Sequence, residues 1–569
     1  MSYIDWLVLV FTLAFIVIYG IWKTRGSRNI EGFLKGDNSD AWWRICLSIM
    51  ATQASAITFL STPGQAYEDG MRFLQFYFGL PLAMVIISVT FIPIFYKLKV
   101  YTAYEFLESR FDLKTRSLAA FLFLVQRGLS TGISIYAPAI ILSSIMGWNI
   151  NLTIMFIGTV VIIYTVSGGT KAVSVTQTQQ MAVMMGGMIL AGIMIVYMLP
   201  QDVSFTDAVQ VAGHMGKMNL VNFSFDWNDR YNVWSGVTAG LFLFMSYFGT
   251  DQSQVGRYLS GTSIAESRIG VLFNGLLKIP MQVLILFIGV LVFVFYQFVQ
   301  PPVFFNQVEK AKLENSVYAG NLKTLEKEHD QVFQEKSAGI KVLLQGIHQE
   351  DETTIVAARE NLNAIKEKEK NVRSRVVSLL EKADPAAEAK DTDYVFISFV
   401  MKYMPVGLVG LLVAVVLSAS MSSSASAFNA LASTTLVDIY KRTFNRIASE
   451  THYLNMSRVF TIFWGLLAVF FATLASRMEN LIQAVNILGS IFYGTILGIF
   501  VVAFYFKYIK AQAVFWAALL TQTLVILIYW KSEIGFLWLN PIGCLLVIFF
   551  GLIFQFLFGK KEGLKSVAN

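Results

Sequence analysis

The chain of 569 residues is 55% hydrophobic and 14% charged, holds 47 Phe and has a mean hydropathy of +0.58. Its apolar residues come in repeated runs of about 20, which excludes a soluble fold and a single membrane anchor, and the continuity of those runs excludes a β-barrel, whose strands alternate. The formal charge of +7 sits mainly in short loops without a basic groove interleaved with aromatics, so it points to membrane topology and not to a nucleic-acid partner.

These features predict an all-α polytopic protein of the lipid bilayer. About 13 spans are expected, at 4–22, 42–62, 72–97, 117–145, 149–167, 178–198, 235–255, 271–299, 395–430, 455–476, 480–506, 511–530 and 535–558. The first starts at Tyr3 with no basic segment before it and runs into GSRNIEGF without a small-residue cleavage site, which predicts a retained span. Cys46 and Cys544 both fall in spans and predict neither a disulfide nor a metal site.

Loop charges predict the orientation. With the N-terminus outside and the C-terminus in the cytoplasm, the inner side receives Lys23, Arg25, Arg28, Lys35, Lys97, Lys99, Arg110, Lys114, Arg116, Lys171, Arg257, Arg268, Lys278, Lys441, Arg442, Arg446, Lys507, Lys510 and the tail lysines Lys560, Lys561 and Lys565. The outer side keeps Arg72, Lys217, Arg230, Lys402, Arg477 and Lys531. That asymmetry follows the positive-inside rule for a multi-pass protein of the cell inner (cytoplasmic) membrane.

The second span, AWWRICLSIMATQASAITFLSTPGQAY, carries Ser48, Thr52, Gln53, Ser55 and Thr58 before STPG at 61–64. Pro63 and Gly64 are expected to interrupt the helix and free carbonyls for a solute or ion; the plainer reading is that Pro63 ends the helix near the outer surface. Within FLFLVQRGLSTG, Arg127 lies well inside a span, where a cation is expensive unless paired, hydrated or used. A substrate carboxylate would suit its guanidinium fork, and so would a carboxylate of the protein itself.

Composition divides the chain into a first membrane part, 1–300, an inserted segment, 301–394, and a second membrane part, 395–569. From Glu309 to Asp393 there are 17 acidic and 14 basic residues. Ile355, Ala358, Leu362, Ile365, Val372, Val376 and Leu379 recur at spacings of three and four, broken only by Glu369. Leu322, Leu325, Val332, Leu343 and Ile347 form a facing stripe, interrupted by His329, Lys336 and Gly339. Two such stripes joined by HQEDETT predict an extracytoplasmic coiled-coil-like helical hairpin ending at Pro385, with arms about 40 to 60 Å long. It is read either as a solvated extension or as a docking surface for a protein partner or second protomer. His329, beside Glu328, is read as solvated.

The ninth span contains SASMSSSASAF, six serines in residues 418–428. Small residues and hydroxyls serve close helix packing. They also serve a cation, because neutral carbonyls and hydroxyls from two helices can hold sodium without a buried permanent negative charge. Ser422 and Ser426 share one face of such a helix.

Taken together, WWRICLSIMATQASA, FIPIFYKLKVYTAYEFLESRF, RGLSTGISIYAPAI, SGGTKAV, YFGTDQSQVGRYLS and MPVGLVGLLVAVVLSASMSSSASAFNALASTTLVDIY resemble the sodium/solute symporters, which include glucose, iodide, monocarboxylate, biotin/pantothenate and sialic-acid carriers. The resemblance spans nearly the whole chain outside 301–394, and IYAPAI and TDQSQVGRYLS are most similar to the iodide, monocarboxylate and vitamin branch. It implies an inverted-repeat symporter core of five plus five helices, with Na+ as the coupling ion and no other cofactor. Position by position, it implies a sodium site from the backbone oxygens of Ala51, Ala54 and Ala419 and the hydroxyls of Ser422 and Ser423. Members with a second sodium site have an aspartate where this chain has Gln177 and a further hydroxyl where it has Ala419, which implies one sodium per cycle.

For the substrate, the resemblance implies a cavity in which Thr58, Tyr77 and Phe244 replace the glutamine, glutamate and asparagine of the sugar carriers. Tyr247 matches an inner aromatic gate, and Asn486 aligns with a sugar-contacting glutamine. Gln53 and Gln75 are further substrate candidates, or plain interhelical hydrogen-bonders. Arg127 is similar to the arginine that takes the substrate carboxylate in the sialic-acid branch. The expected function is sodium-coupled import of a small organic anion, a carboxylate of sialic-acid, monocarboxylate or vitamin type. The alternatives are sodium-coupled import of a neutral polyol or sugar, and a sensor or docking protein that uses the symporter core as a receptor. Neither a catalytic dyad nor a nucleotide loop is present to predict an enzyme.

Overall fold

The computed structural model describes residues 1–24, 40–385, 387–475 and 481–566. Arg25, Arg28, Lys35, Arg477 and the GSRNIEGF junction lie outside them, as do the side chains of Lys23, Lys171, most of SGGTKAV and the tail lysines. Among the described residues the fold is helical throughout, with nine helices long and apolar enough to cross a membrane and three shorter apolar ones.

In chain order, α1 is Tyr3–Thr24, and the second span is split into α2 (Trp42–Gln53) and α3 (Ala56–Asp69). A 3₁₀ stretch, Gly70–Tyr77, leads into α4 (Leu80–Val89) and α5 (Phe91–Leu98), followed by α6 (Glu105–Arg110) and α7 (Leu113–Met146). The helical segment α8 (Ile150–Tyr197) holds two spans, since the Tyr164 hydroxyl lies 2.6 Å from that of Thr176, whereas 12 residues of straight helix would separate them by about 18 Å. Then come α9 (Phe205–His214), α10 (Gly240–Gly249), α11 (Gln252–Tyr258) and α12 (Ile264–Phe298). The insertion holds α13 (Gln307–Glu314), α14 (Ala319–Gln349) and α15 (Glu352–Ala383). The chain returns through α16 (Val395–Tyr403), α17 (Leu408–Thr434), α18 (Glu450–Leu474), α19 (Leu481–Tyr505), α20 (Ala511–Lys531) and α21 (Leu539–Ser566).

The break in the second span is not at Pro63. That residue lies inside α3, and the helix opens instead at Ala54 (ψ 78°) and Ser55 (ψ 173°). Pro63 and Gly64 are packing points: a Cβ on Gly289 of α12 would meet the Pro63 carbonyl oxygen at 2.2 Å, and one on Gly64 would meet that of Thr392 at 2.1 Å. The predicted ninth span is also divided, because Pro405 and Gly407 (φ 90°) separate α16 from α17.

No side chain of its own caps the start of α17. Asp5 of α1 does so from across the bundle, its Oδ1 accepting the Gly407 N–H at 2.7 Å and the Gly410 N–H at 3.2 Å. Gly410 permits this approach, since a Cβ there would lie 2.1 Å from the Asp5 carbonyl oxygen. The first helix thereby anchors the serine-rich one.

In the hairpin, α14 and α15 bury the two stripes against each other, with Leu380 in place of Leu379 at the last position. The polar interruptions match across the seam. Lys336 Nζ lies 2.9 Å from Glu369 Oε2, and His329 Nε2 lies 3.8 Å from Oε1. Gly339 gives room to Leu362. His329 is therefore not solvated; it is 2% exposed. Lys336 holds the Glu369 carboxyl down at about 2 even though burial works the other way. The hairpin also rests on the bundle: Ile340, Leu343, Leu344 and Ile347 pack with Val203 and Val211, and His348 reaches Asp207 at 3.0 Å. At its base, Phe305 packs edge-on against Tyr67 at the end of α3, beneath the Arg373 guanidinium that pairs with Asp391 at 2.8 Å.

Candidate functional site: a sodium pocket beside an aromatic cavity

The opening between α2 and α3 faces the serine-rich stretch of α17. Ser422 Oγ donates to the Ala51 carbonyl oxygen at 3.2 Å. Ser423 Oγ donates back to the Ala419 carbonyl at 3.0 Å and to that of Ser420 at 3.3 Å. Ala51, Ala54, Ala419 and Ser422 are fully buried and Ser423 nearly so. The hydroxyl hydrogens are engaged by carbonyls, so the hydroxyl lone pairs remain for a ligand. Such a set of neutral oxygens suits a desolvated monovalent cation, with Ala54 contributing its carbonyl at the unwound turn.

Beside this pocket Gln177 closes a small network. Its Nε2 donates to Thr52 Oγ1 at 3.0 Å and to Ser426 Oγ at 2.9 Å, while its Oε1 accepts from Ser48 Oγ. The hydroxyl facing Gln177 is thus that of Ser426, not one at position 419, where the missing hydroxyl was expected. Two N–H contacts directed at hydroxyl oxygens fill the space between these side chains.

A separate cavity of about 100 Å³ lies on the other side of the break. Of the expected substrate residues it is lined by Gln53, Thr58, Tyr77, Arg127, Phe244, Tyr247 and Asn486, together with Phe76 and Tyr493. Tyr77 and Phe244 stack with centroids 5.7 Å apart, and the Tyr247 hydroxyl accepts from Gln254 Nε2 at 2.6 Å. Gln75 is not in this wall. Its amide is turned outward, donating to the Tyr231 carbonyl at 2.9 Å and accepting the Asn222 N–H at 2.8 Å, so it ties down the loop after α9.

Arg127 reaches the cavity floor and is 8% exposed. Its Nη2 donates to Ser253 Oγ at 2.7 Å, its Nη1 lies 3.5 Å from Asp251 Oδ2, and its Nε has no partner. Both uses open to an intramembrane arginine meet here, since the side chain pairs with a carboxylate and also lines the cavity.

Lys278 was missed as a candidate. Counted among the inner-loop cations, it is instead wholly buried in α12, with Nζ 5.7 Å from the Tyr77 ring centroid and no hydrogen-bond partner. Arg257 and Arg116, also counted with the loops, are 4% exposed. A lysine 14 residues into a 35-residue apolar helix was the available signal, the same one that drew attention to Arg127.

The model of the sodium:solute symporter family matches residues 33–319 and 378–521, and the gap between them takes out most of the hairpin. The human sodium/iodide cotransporter is 34% identical over 297 residues, covering 50% of this chain and 45% of its own, so the chain spans about half the length of that relative. The human sodium-coupled monocarboxylate transporter 1 is 28% identical over 487 residues, covering 86% of this chain and 66% of its own. A solved sodium-coupled sialic acid symporter in a substrate-bound outward-open state superposes with a TM-score of 0.75 at 21% identity, over 98% of both chains, which supports the symporter fold. With the family match running through both the broken span and the serine-rich helix, this chain belongs to the sodium:solute symporter family.

Proposed function

We propose that the chain imports a small carboxylate-bearing solute together with sodium, one ion per cycle. The observation that carries the solute class is Arg127: a buried guanidinium with an unpartnered Nε lines a cavity that also presents five aromatic rings, those of Phe76, Tyr77, Phe244, Tyr247 and Tyr493, beside the polar Gln53, Ser55, Thr58 and Asn486. A carboxylate completes the guanidinium fork while the rings receive an apolar or flat body. The small cavity favours a monocarboxylate-sized solute over a bulky polyol acid, in keeping with the monocarboxylate transporters among the relatives.

Sodium binds first, at Ala51, Ala54, Ala419, Ser422 and Ser423, and holds α2 and α3 against α17. Because Ala54 closes the sodium pocket and Gln53 and Ser55 line the cavity, the ion organises the wall that the solute then occupies. Each ligand thereby favours the other, which is all that coupling needs. The Gln177 network replaces any second ion and leaves a single positive charge to move. One charge moving inward gains about 2.3 kcal/mol per 100 mV, and a monoanion moving with it makes the loaded step electroneutral. In this reading the N-terminus and hairpin are extracytoplasmic, the C-terminus is cytoplasmic, and the membrane is the cell's inner one.

The Asp251–Arg127 pair favours a second reading, because it leaves the cavity floor with no net charge. A neutral polyol or sugar then becomes the substrate. Proteoliposomes offered labelled monocarboxylates, vitamins, sialic acid and polyols, with and without an inward sodium gradient, decide between the readings. Sodium-dependent carboxylate flux supports the first. Polyol flux alone supports the second, and binding without flux points to a receptor.

A further inference from the structure

We infer that Asp251 is a stand-in for the substrate's carboxylate: it holds Arg127 while the cavity is empty and yields it when the solute arrives. The inference rests on the carboxylate reading of the cavity. Asp251 is 1% exposed and caps α11, where its Oδ1 accepts the Ser253 N–H at 2.9 Å and the Ser253 hydroxyl at 2.7 Å. Its Oδ2 accepts from the Tyr493 hydroxyl at 3.2 Å and faces Arg127 Nη1 at 3.5 Å.

These distances divide unequally. Three donors hold Asp251 closely, and the guanidinium is the loosest of its neighbours. If Arg127 turns away, the carboxylate keeps the N–H of its own helix cap and two hydroxyls, so it is not left as an unpartnered buried charge, the outcome that makes breaking most buried ion pairs costly. Arg127, in contrast, is under-used. Its Nε is buried without an acceptor, and the Nε/Nη edge of a guanidinium is one of the two edges that take a carboxylate in bidentate fashion.

An arriving carboxylate that takes the Nε edge and draws the guanidinium off Asp251 gains two charge-assisted bonds on Arg127 and gives up the loose 3.5 Å contact with Asp251 and the neutral-acceptor bond to Ser253 Oγ. A neutral solute has no such exchange to make, because it leaves the existing pair undisturbed. Asp251 thus sets a threshold for entry: it keeps the empty floor neutral and requires a ligand with an acceptor strong enough to replace it. It also places the event at the start of α11, immediately beyond the end of α10 at Gly249, so binding is felt at the junction of those helices.

The test compares each carboxylate that the wild type takes up with its own primary amide, lactate with lactamide and nicotinate with nicotinamide among them, as competitors of sodium-driven uptake in proteoliposomes. Asp251→Asn keeps a cap acceptor and removes the competing charge, so the carboxylate-to-amide affinity ratio rises by about tenfold or more. Tyr493→Phe removes one of the donors that Asp251 relies on once Arg127 leaves, and the ratio falls. Sodium half-saturation for the surviving flux reports whether each variant keeps its ion site. A ratio unchanged in both variants, or lowered in Asp251→Asn with sodium half-saturation preserved, overturns the exchange. If wild-type uptake of carboxylates is absent, or does not depend on Arg127, the carboxylate reading itself falls and the exchange with it.

Discussion

The hairpin and the serine-rich helix both set polar groups into apolar surroundings, and they do opposite things with them. In the hairpin the polar interruptions of the two stripes meet each other, Lys336 and His329 converging on Glu369, while Gly339 makes room for the stripe residue Leu362. Those groups satisfy each other and fix the register of two helices. Around Ala51, Ala419, Ser422 and Ser423 the side-chain donors are the hydroxyls of the set itself, and their oxygens keep lone pairs to spare. A closed polar set is architecture, whereas oxygens with lone pairs to spare are the place to look for a ligand.

The comparison breaks most readily in the hairpin. Lys336→Met leaves Glu369 buried without its cation and is expected to destabilise the hairpin by about 3–5 kcal/mol, while the double change with Glu369→Met returns most of that. Protease sensitivity of the full chain between residues 316 and 385 reads both, and sodium half-saturation should stay at its wild-type value. On the core side, Ser422→Ala or Ser423→Ala removes one ion–hydroxyl contact of about 1.5–3 kcal/mol, so the sodium concentration for half-maximal uptake rises about 10- to 100-fold. The hairpin's resistance to protease should not change.

Gln177→Asp sharpens the contrast, because it turns a closed set into an open one. Replacing the two amide donors by a carboxylate beside Ser48, Thr52 and Ser426 should convert first-order sodium activation into sigmoidal activation. Persistently first-order curves would count against the amide as a substitute for an ion. The smallest effect expected is with pH. The Glu369 carboxyl is held at about 2 against an ordinary 4.5, so its contribution to hairpin stability is complete above about 4.5 and is lost as the pH falls from there toward 2. Glu388 behaves in the opposite sense. Burial pushes it up to about 8, so the hairpin base is firmest in acid and loosens as the pH rises from about 4.5 toward 8. Protease sensitivity at the middle of the hairpin arms, around Glu369, and at the hairpin base, around Glu388, should therefore respond to pH with opposite sign.

Much of this was legible along the chain. Apolar runs of span length, the paired stripes and the oxygen-rich face of α17 are local patterns, and the motifs carried the family. The errors have a common origin. Pro63 is the strongest helix breaker near the site, yet the helix opens at Ala54 and Ser55, which carry no breaker signal, because Pro63 and Gly64 are locked against Gly289 and Thr392. Gln75 has the composition of a ligand, but its amide is taken by Asn222 and Tyr231. Lys278 and Arg257 look like loop cations when only their neighbours in sequence are considered.

By itself, then, the sequence determined that this is a polytopic helical protein with a highly charged helical hairpin inserted in it, which polar residues interrupt its apolar surfaces, and the family to which it belongs. Periodicity and hydropathy are properties of short stretches, and the bilayer forces each span to bond its own backbone. Only the tertiary structure decided where the broken helix opens, that Gln177 meets Ser426, that Arg127 is held by Asp251, and that Asp5 caps a helix more than 400 residues away. Those outcomes depend on which donor finds which acceptor across the bundle, and partners separated by hundreds of residues leave no mark in local composition.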